Sequence, residues 1–159
     1  MSDTALSGLS SAKPLVPVFA TIQNAFRPIA DVGVRAATGL FLMPHGAQKL
    51  FGLFGGYGPE ATGQFFAAKL GLPASFAVLA GSIEFFGGLA LALGLLTRPV
   101  AALVFGMMVV AVVQVHLPNG YFWTDGGFEY PLLWAILALS YVVKGGGRYS
   151  LDAKIGREI

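Results

Sequence analysis

Cysteine is absent from the 159 residues, which excludes disulfides, thiolate metal sites and thiol redox chemistry carried by this chain. Charge is scarce as well: 11% of residues are Asp, Glu, Lys or Arg, against about a quarter in an ordinary soluble domain. Apolar side chains take that share, at 55% of the chain and a mean hydropathy of +0.71. The net charge of +2 and the pI near 9.0 gather into no basic stripe, so nucleic acid is not an expected partner. The opening stretch MSDTALSGLSSAKPLVPVF lacks the basic segment, apolar core and small-residue cleavage site of a secretory signal, and is expected to stay on the mature protein.

What the chain does have is long apolar runs. A bilayer core about 30 Å thick needs about 20 helical residues, and four runs approach that length: Ile29 to Leu53, Leu72 to Leu96, Pro99 to Leu117 and Phe128 to Val143. The expected fold is therefore all-α, a polytopic membrane protein built as a four-transmembrane-helix bundle with the lipid bilayer as its main partner. Its expected divisions are a segment 1–28, a membrane domain 29–144 and a tail 145–159. Pro28, Pro99 and Pro131 sit at or near expected helix starts, whereas Pro44 is internal and predicts a kink. Leu15, Val18, Phe19, Ile22 and Phe26 recur at helical spacing and predict a short surface helix, preceded by a mobile Ser- and Ala-rich start.

An even number of spans puts both termini on one side. That side carries Lys13, Arg27, Arg35, Arg98, Lys144, Arg148, Lys154 and Arg157, and the other only Lys49 and Lys69. The positive-inside rule then places both termini in the cytoplasm.

Within the spans the polar residues are few enough to name. Asp31, Arg35, Thr38, His45 and Lys49 fall within about 80° of one another around the first helix, a stripe that lipid would penalise and that should face the bundle. Asp31 and Arg35, one turn apart, are expected to pair as a structural anchor. Glu84 stands alone in the second run, on a face with Ala77, Ala80, Gly81, Gly87 and Gly88 that permits close helix packing. Lying about 18 Å from the outer end, between His45 at about 12 Å and Arg35 at about 27 Å, Glu84 is expected to pair with one of them. His116 closes the third run and Glu129 opens the fourth. With His45 and Lys49 they bring polar groups from three helices to the outer half of the bundle, beneath Tyr121, Phe122 and Trp123. Each has a plainer role open to it: His45 as a core donor, His116 as an interfacial polar group, Glu129 as a first-turn acid favoured by the helix dipole. No spacing resembles a compact metal motif such as HExxH, and Gly145, Gly146 and Gly147 do not follow a strand, so neither a metal nor a nucleotide is expected.

The ordered motifs RAATGLFLMPHGAQKLFG, TGQFFAAKLGLP, SIEFFGGLALALGLLTR, VVAVVQVHLPNGYF and GGRYSLD resemble the DoxX family of small bacterial membrane proteins over about residues 29–152. The resemblance implies a four-helix bundle in the bacterial inner membrane, an oxidoreductase label without an established substrate, and links to quinone-dependent redox complexes. It maps onto Arg35, His45, Gly46 and Lys49 in the first helix, Glu84 in the second, His116 in the third, and Arg148, Tyr149, Leu151 and Asp152 in the tail.

The expected function is a quinone-linked redox protein or subunit. Catalytic roles are assigned to His45, Lys49, Glu84, His116 and Glu129, and quinone contacts to His45, Lys49, His116 and Trp123. Histidines would donate to the quinone carbonyls, Lys49 would stabilise negative charge, and Glu84 or Glu129 would exchange protons. The electron donor would be a redox partner protein or a small sulfur compound, and self-association into a homo-oligomer stays open. The alternative is a non-catalytic membrane anchor or assembly subunit of a redox complex; a small-solute transporter has little support without inverted repeats.

Overall fold

The computed structural model describes residues 15–157. The Ser- and Ala-rich start, Lys13 and the last two residues lie outside them. The described chain is helical, with no β-strand among the described residues. Helix α1 spans Pro17–Leu40, α2 Met43–Phe51, α3 Gly58–Leu70, α4 Phe76–Leu93, α5 Thr97–Asn119, α6 Glu129–Lys144 and the short α7 Leu151–Ile155. Two helices, α4 and α5, are long and apolar enough by length and composition to cross a membrane.

The first expected span is in fact two helices, and its start moves upstream. The predicted surface helix merges into α1, so Pro28 sits inside a helix rather than at its beginning. Pro44 lies in the first turn of α2, where its missing N–H costs nothing, and the chain breaks just before it. At the break Leu42 N–H bonds Gly39 O at 3.1 Å. Thr38 O instead accepts the Trp134 indole N–H at 3.1 Å, so a neighbouring helix satisfies the displaced backbone. The Gly-rich connection after α2 contains α3.

Both α4 and α5 contain a wider π turn, Ile83–Gly87 in α4 and Ala111–His116 in α5. Such turns insert a residue and rotate the side chains that follow; the one in α4 includes Glu84. Helix α2 rests on the first half of α4 and its π turn, α1 on the second half, and α5 lies along α6. Gly39 and Gly88 let α1 and α4 approach backbone to backbone: a Cβ on Gly88 would stand 2.6 Å from Gly39 O. The small-residue face expected around Glu84 is real at Ala77, Gly81 and Gly88, all buried.

Polarity is arranged against the soluble-protein pattern. Leu42, Val104, Met108, Ala135 and Ala138 form one buried cluster and Leu91, Ala101 and Tyr141 a second, but Arg35, Thr38, Glu84, Thr97 and Asp152 are buried beside them. Large apolar side chains point outward, with Phe86, Leu103, Ile136 and Val143 each more than half exposed. Charged groups inside and apolar groups outside suit a lipid solvent.

Candidate functional site

The first polar centre lies where α2 meets α4. Helix α2 is amphipathic and its Gly46–Ala47 face is buried, which carries Lys49 to the π turn of α4. There the Lys49 ammonium donates to both Glu84 oxygens, at 2.9 Å to Oε1 and 2.6 Å to Oε2, and to the His45 carbonyl at 3.4 Å. Glu84 is 9% exposed in its side chain and Lys49 25%. The partner of Glu84 is thus Lys49 rather than Arg35 or His45. Counting rise along straight helices failed because the chain breaks before Pro44 and the π turn re-aims Glu84 toward α2. His45 offers Lys49 its backbone carbonyl, while its side chain is exposed. Phe51 and Phe85 pack edge to face beside the pair, ring centroids 5.3 Å apart.

The second centre is at the opposite end of the bundle. Buried Arg35 donates to Gly146 O and, at 2.7 Å, to Tyr149 O. The expected Asp31–Arg35 pair is replaced by longer reaches, since Asp31 takes the Lys144 ammonium as its ion partner and its carbonyl accepts the Tyr141 hydroxyl at 3.2 Å. A surface pair one turn apart contributes only about 0.2–0.5 kcal/mol, whereas bare carbonyls in the turn after α6 need donors. Gly94 makes room for Arg35: at φ 70° it holds a left-handed backbone, and a Cβ there would stand 2.7 Å from Arg35 Nη1.

Asp152, which the sequence marked only as part of a tail motif, completes this centre. Its carboxylate accepts Leu96 N–H at 2.7 Å, Thr97 N–H at 2.8 Å and the Thr97 hydroxyl at 2.7 Å. It therefore caps the start of α5 from 55 residues away and holds Leu96 in a left-handed conformation at φ 48°, one that non-glycine residues adopt at a cost of about 1–2 kcal/mol. Burial alone pushes the Asp152 carboxyl up. The bonds from Thr97 and Leu96, with the Arg35 charge, outweigh that and hold it below the usual carboxylate range.

The remaining candidates organise the loop of residues 120–128 between α5 and α6, the rim loop. His116 Nδ1 lies 2.6 Å from Gly126 O, Glu129 Oε2 accepts Trp123 N–H at 3.1 Å, and Trp123 stacks on Tyr130 with centroids 5.2 Å apart. His116, Trp123 and Glu129 thus form one group on α5, the rim loop and α6, and His45, Lys49 and Glu84 another on α2 and α4. No hydrogen bond joins the two groups among the described residues. No three His, Asp or Glu side chains among the described residues gather closely enough to hold a metal ion.

The sequence profile of DoxX matches residues 30–117, the stretch that contains Arg35, both members of the Lys49–Glu84 pair and His116. The chain belongs to the DoxX family. It is 33% identical to the Bacillus subtilis protein named "Putative oxidoreductase CatD" over 124 residues, covering 78% of this chain and 85% of the relative. It is 30% identical over 153 residues to an uncharacterized membrane protein of Mycobacterium tuberculosis, covering 89% and 90%. No solved structure matches. The family and these relatives make the chain a DoxX membrane protein.

Two measurements check the centres of this DoxX chain. Lys49→Met strands a buried carboxylate and Glu84→Gln a partly buried ammonium, and each should lower unfolding stability in micelles by about 1–3 kcal/mol. The double variant should lose less than the two losses added together, and additivity would mean that the pair is not coupled. For Asp152 the native carboxyl titrates below the unfolded one, so its contribution is complete above about pH 4 and disappears as pH falls through the lowered native value. Thermal melts from pH 7 to 3 should show that Asp152→Asn lowers Tm at neutral pH, by about 0.5–2 kcal/mol of lost capping, and flattens the acid dependence.

Proposed function

We propose that this DoxX protein is a multi-pass component of a quinone-linked redox system, with its reactive centre at Lys49, Glu84 and His45. The observation that carries this reading is the pairing of a largely buried acid with a partly exposed ammonium beside an exposed imidazole, where α2 packs on α4. An ion pair at such a site is expensive to keep in an apolar medium, and intramembrane ionisable groups commonly mark proton or ligand pathways. The residues present suit a quinone: Lys49 and His45 supply donors for carbonyl oxygens, Phe51 and Phe85 an aromatic flank, and the outward apolar surface a path for a lipid tail. A bound quinone would supply two-electron, two-proton carriage. Lys49 would hold negative charge near the head group, and Glu84, released from Lys49, would accept or return a proton. His116, Glu129 and Trp123 would shape the rim above it. Relatives labelled as an oxidoreductase and as a membrane protein agree with the coarse form of this reading.

In the same proposal the bundle spans four times: the α1–α2 pair, α4, α5 and α6, with α3 and the rim loop outside and both termini in the cytoplasm. Arg35 and Arg98 bond carbonyls between residues 142 and 149, and Lys144 in the same stretch pairs with Asp31, so these basic residues share one end of the bundle. A second reading, a non-catalytic anchor subunit, is favoured by the way Arg35, Asp152 and Glu84 all have partners within the chain.

Purified protein should bind ubiquinone or menaquinone analogues, and Lys49→Met and His45→Ala should each weaken that binding at least about tenfold while the helical content is kept. Unchanged binding in both, with loss of a copurifying subunit, would favour the anchor. The cysteine-free background makes orientation simple to measure. An impermeant maleimide applied to intact cells should label Tyr57→Cys, at a position 84% exposed, and spare Arg157→Cys; the opposite pattern would reverse the topology.

A further inference from the structure

At the end of the bundle held by Arg35, a cavity of about 420 Å³ opens between the last turn of α4 and the tail, lined by Leu93, Arg148, Tyr149, Leu151 and Lys154. Two cations and no acid line it. Neither Arg148 nor Lys154 has a carboxylate partner among the described residues, and the Arg148 guanidinium lies 5.5 Å from the Tyr149 ring centroid. Asp152, the acid between them in sequence, is turned away into its bonds with Leu96 and Thr97. Ser150 is likewise committed, donating to Gly147 O and accepting Ala153 N–H.

The backbone that carries these cations is fixed on both flanks. Arg35 holds Gly146 O and Tyr149 O, and Asp152 N–H donates to Gly94 O at 2.9 Å. A short tail with this composition would otherwise be free to disperse its charges; here they are held open beside the end of an apolar helix. Leu93 and Tyr149, each about half exposed, form an apolar shelf next to the two charges. A cation pair, a wall of apolar surface and a position where a membrane helix ends match one ligand chemistry: a phosphodiester head group with acyl chains below it. Basic pockets of this kind at the cytoplasmic side of membrane helices hold acidic phospholipids.

We infer that this cavity is a binding site for the head group of an anionic phospholipid, with Arg148 and Lys154 contacting its phosphate and Leu93 and Leu151 its glycerol and upper acyl region. The inference needs the membrane reading of α4 but not the quinone centre, which lies at the opposite end.

The test is native mass spectrometry of the full chain in detergent, titrated with phosphatidylglycerol, phosphatidylcholine or inorganic phosphate alone. Phosphatidylglycerol should be retained in preference to phosphatidylcholine. Arg148→Gln with Lys154→Gln should weaken its retention about twenty-five-fold, about fivefold per charge lost. Both positions are exposed, so the Tm without lipid should not move, and Arg148→Lys should keep most of the binding. Equal retention of the two lipids, or unchanged retention in the double variant, overturns the site. Inorganic phosphate competing as well as the lipid overturns the lipid assignment in favour of a soluble anion. Quinone binding measured on the same double variant should equal that of the parent, so failure of the lipid site and failure of the quinone reading are separate results.

Discussion

A permanently charged guanidinium buried to 2% exposure governs one whole end of this protein. Arg35 cannot discharge by losing a proton, so the chain must bring acceptors to it, and those acceptors come from more than a hundred residues away: Gly146 O and Tyr149 O. Once the tail is drawn in, Asp152 reaches the start of α5, Ser150 caps α7, and Lys144 meets Asp31. Gly94 and Gly146 lack side chains where the strands of this knot pass closest; a Cβ on Gly146 would stand 2.7 Å from the Thr97 hydroxyl. Removing the Arg35 charge would therefore loosen the tail, the α4–α5 turn and the end of α6 together.

The Lys49–Glu84 pair obeys the same rule under different exposure. Both groups need a partner in an apolar surrounding, yet Lys49 keeps a quarter of its side-chain surface open. The Arg35 centre is closed to solvent and the Lys49 site is not. That difference in exposure separates a centre built to hold helices together from one with access for a ligand, and it is why the reactive reading is attached to Lys49, Glu84 and His45 rather than to the buried Arg35.

Much of this was legible in the residues. Hydropathy gave α4 and α5 nearly to their ends, and the small-residue face at Ala77, Gly81 and Gly88 followed from composition at helical spacing. The membership of Glu84 in an ion pair followed from the cost of an unpaired acid in an apolar run. Its partner did not. Periodicity assumes a straight helix of constant pitch, and both assumptions fail here: α1 stops at Leu40, α2 restarts at Met43, and α4 widens into a π turn at Ile83–Gly87. The expected grouping of His45 and Lys49 with His116 and Glu129 is divided between two hydrogen-bonded sets among the described residues. A common depth along the helices does not fix which side chains bond, and α2 packs on α4 while His116 and Glu129 bond within their own loop.

By itself the sequence determined the solvent this protein is built for, the absence of cysteine chemistry, the location of its few charges and its membership of DoxX, because composition and local order are enough for each. Tertiary structure alone decided which charge meets which. Asp152 reaching Leu96 and Thr97, Arg35 reaching Gly146 and Tyr149, and Lys49 reaching Glu84 are contacts between segments 35 to 114 residues apart. Electrostatics demands that each buried charge find a partner, but helix packing chooses which one comes within 3 Å.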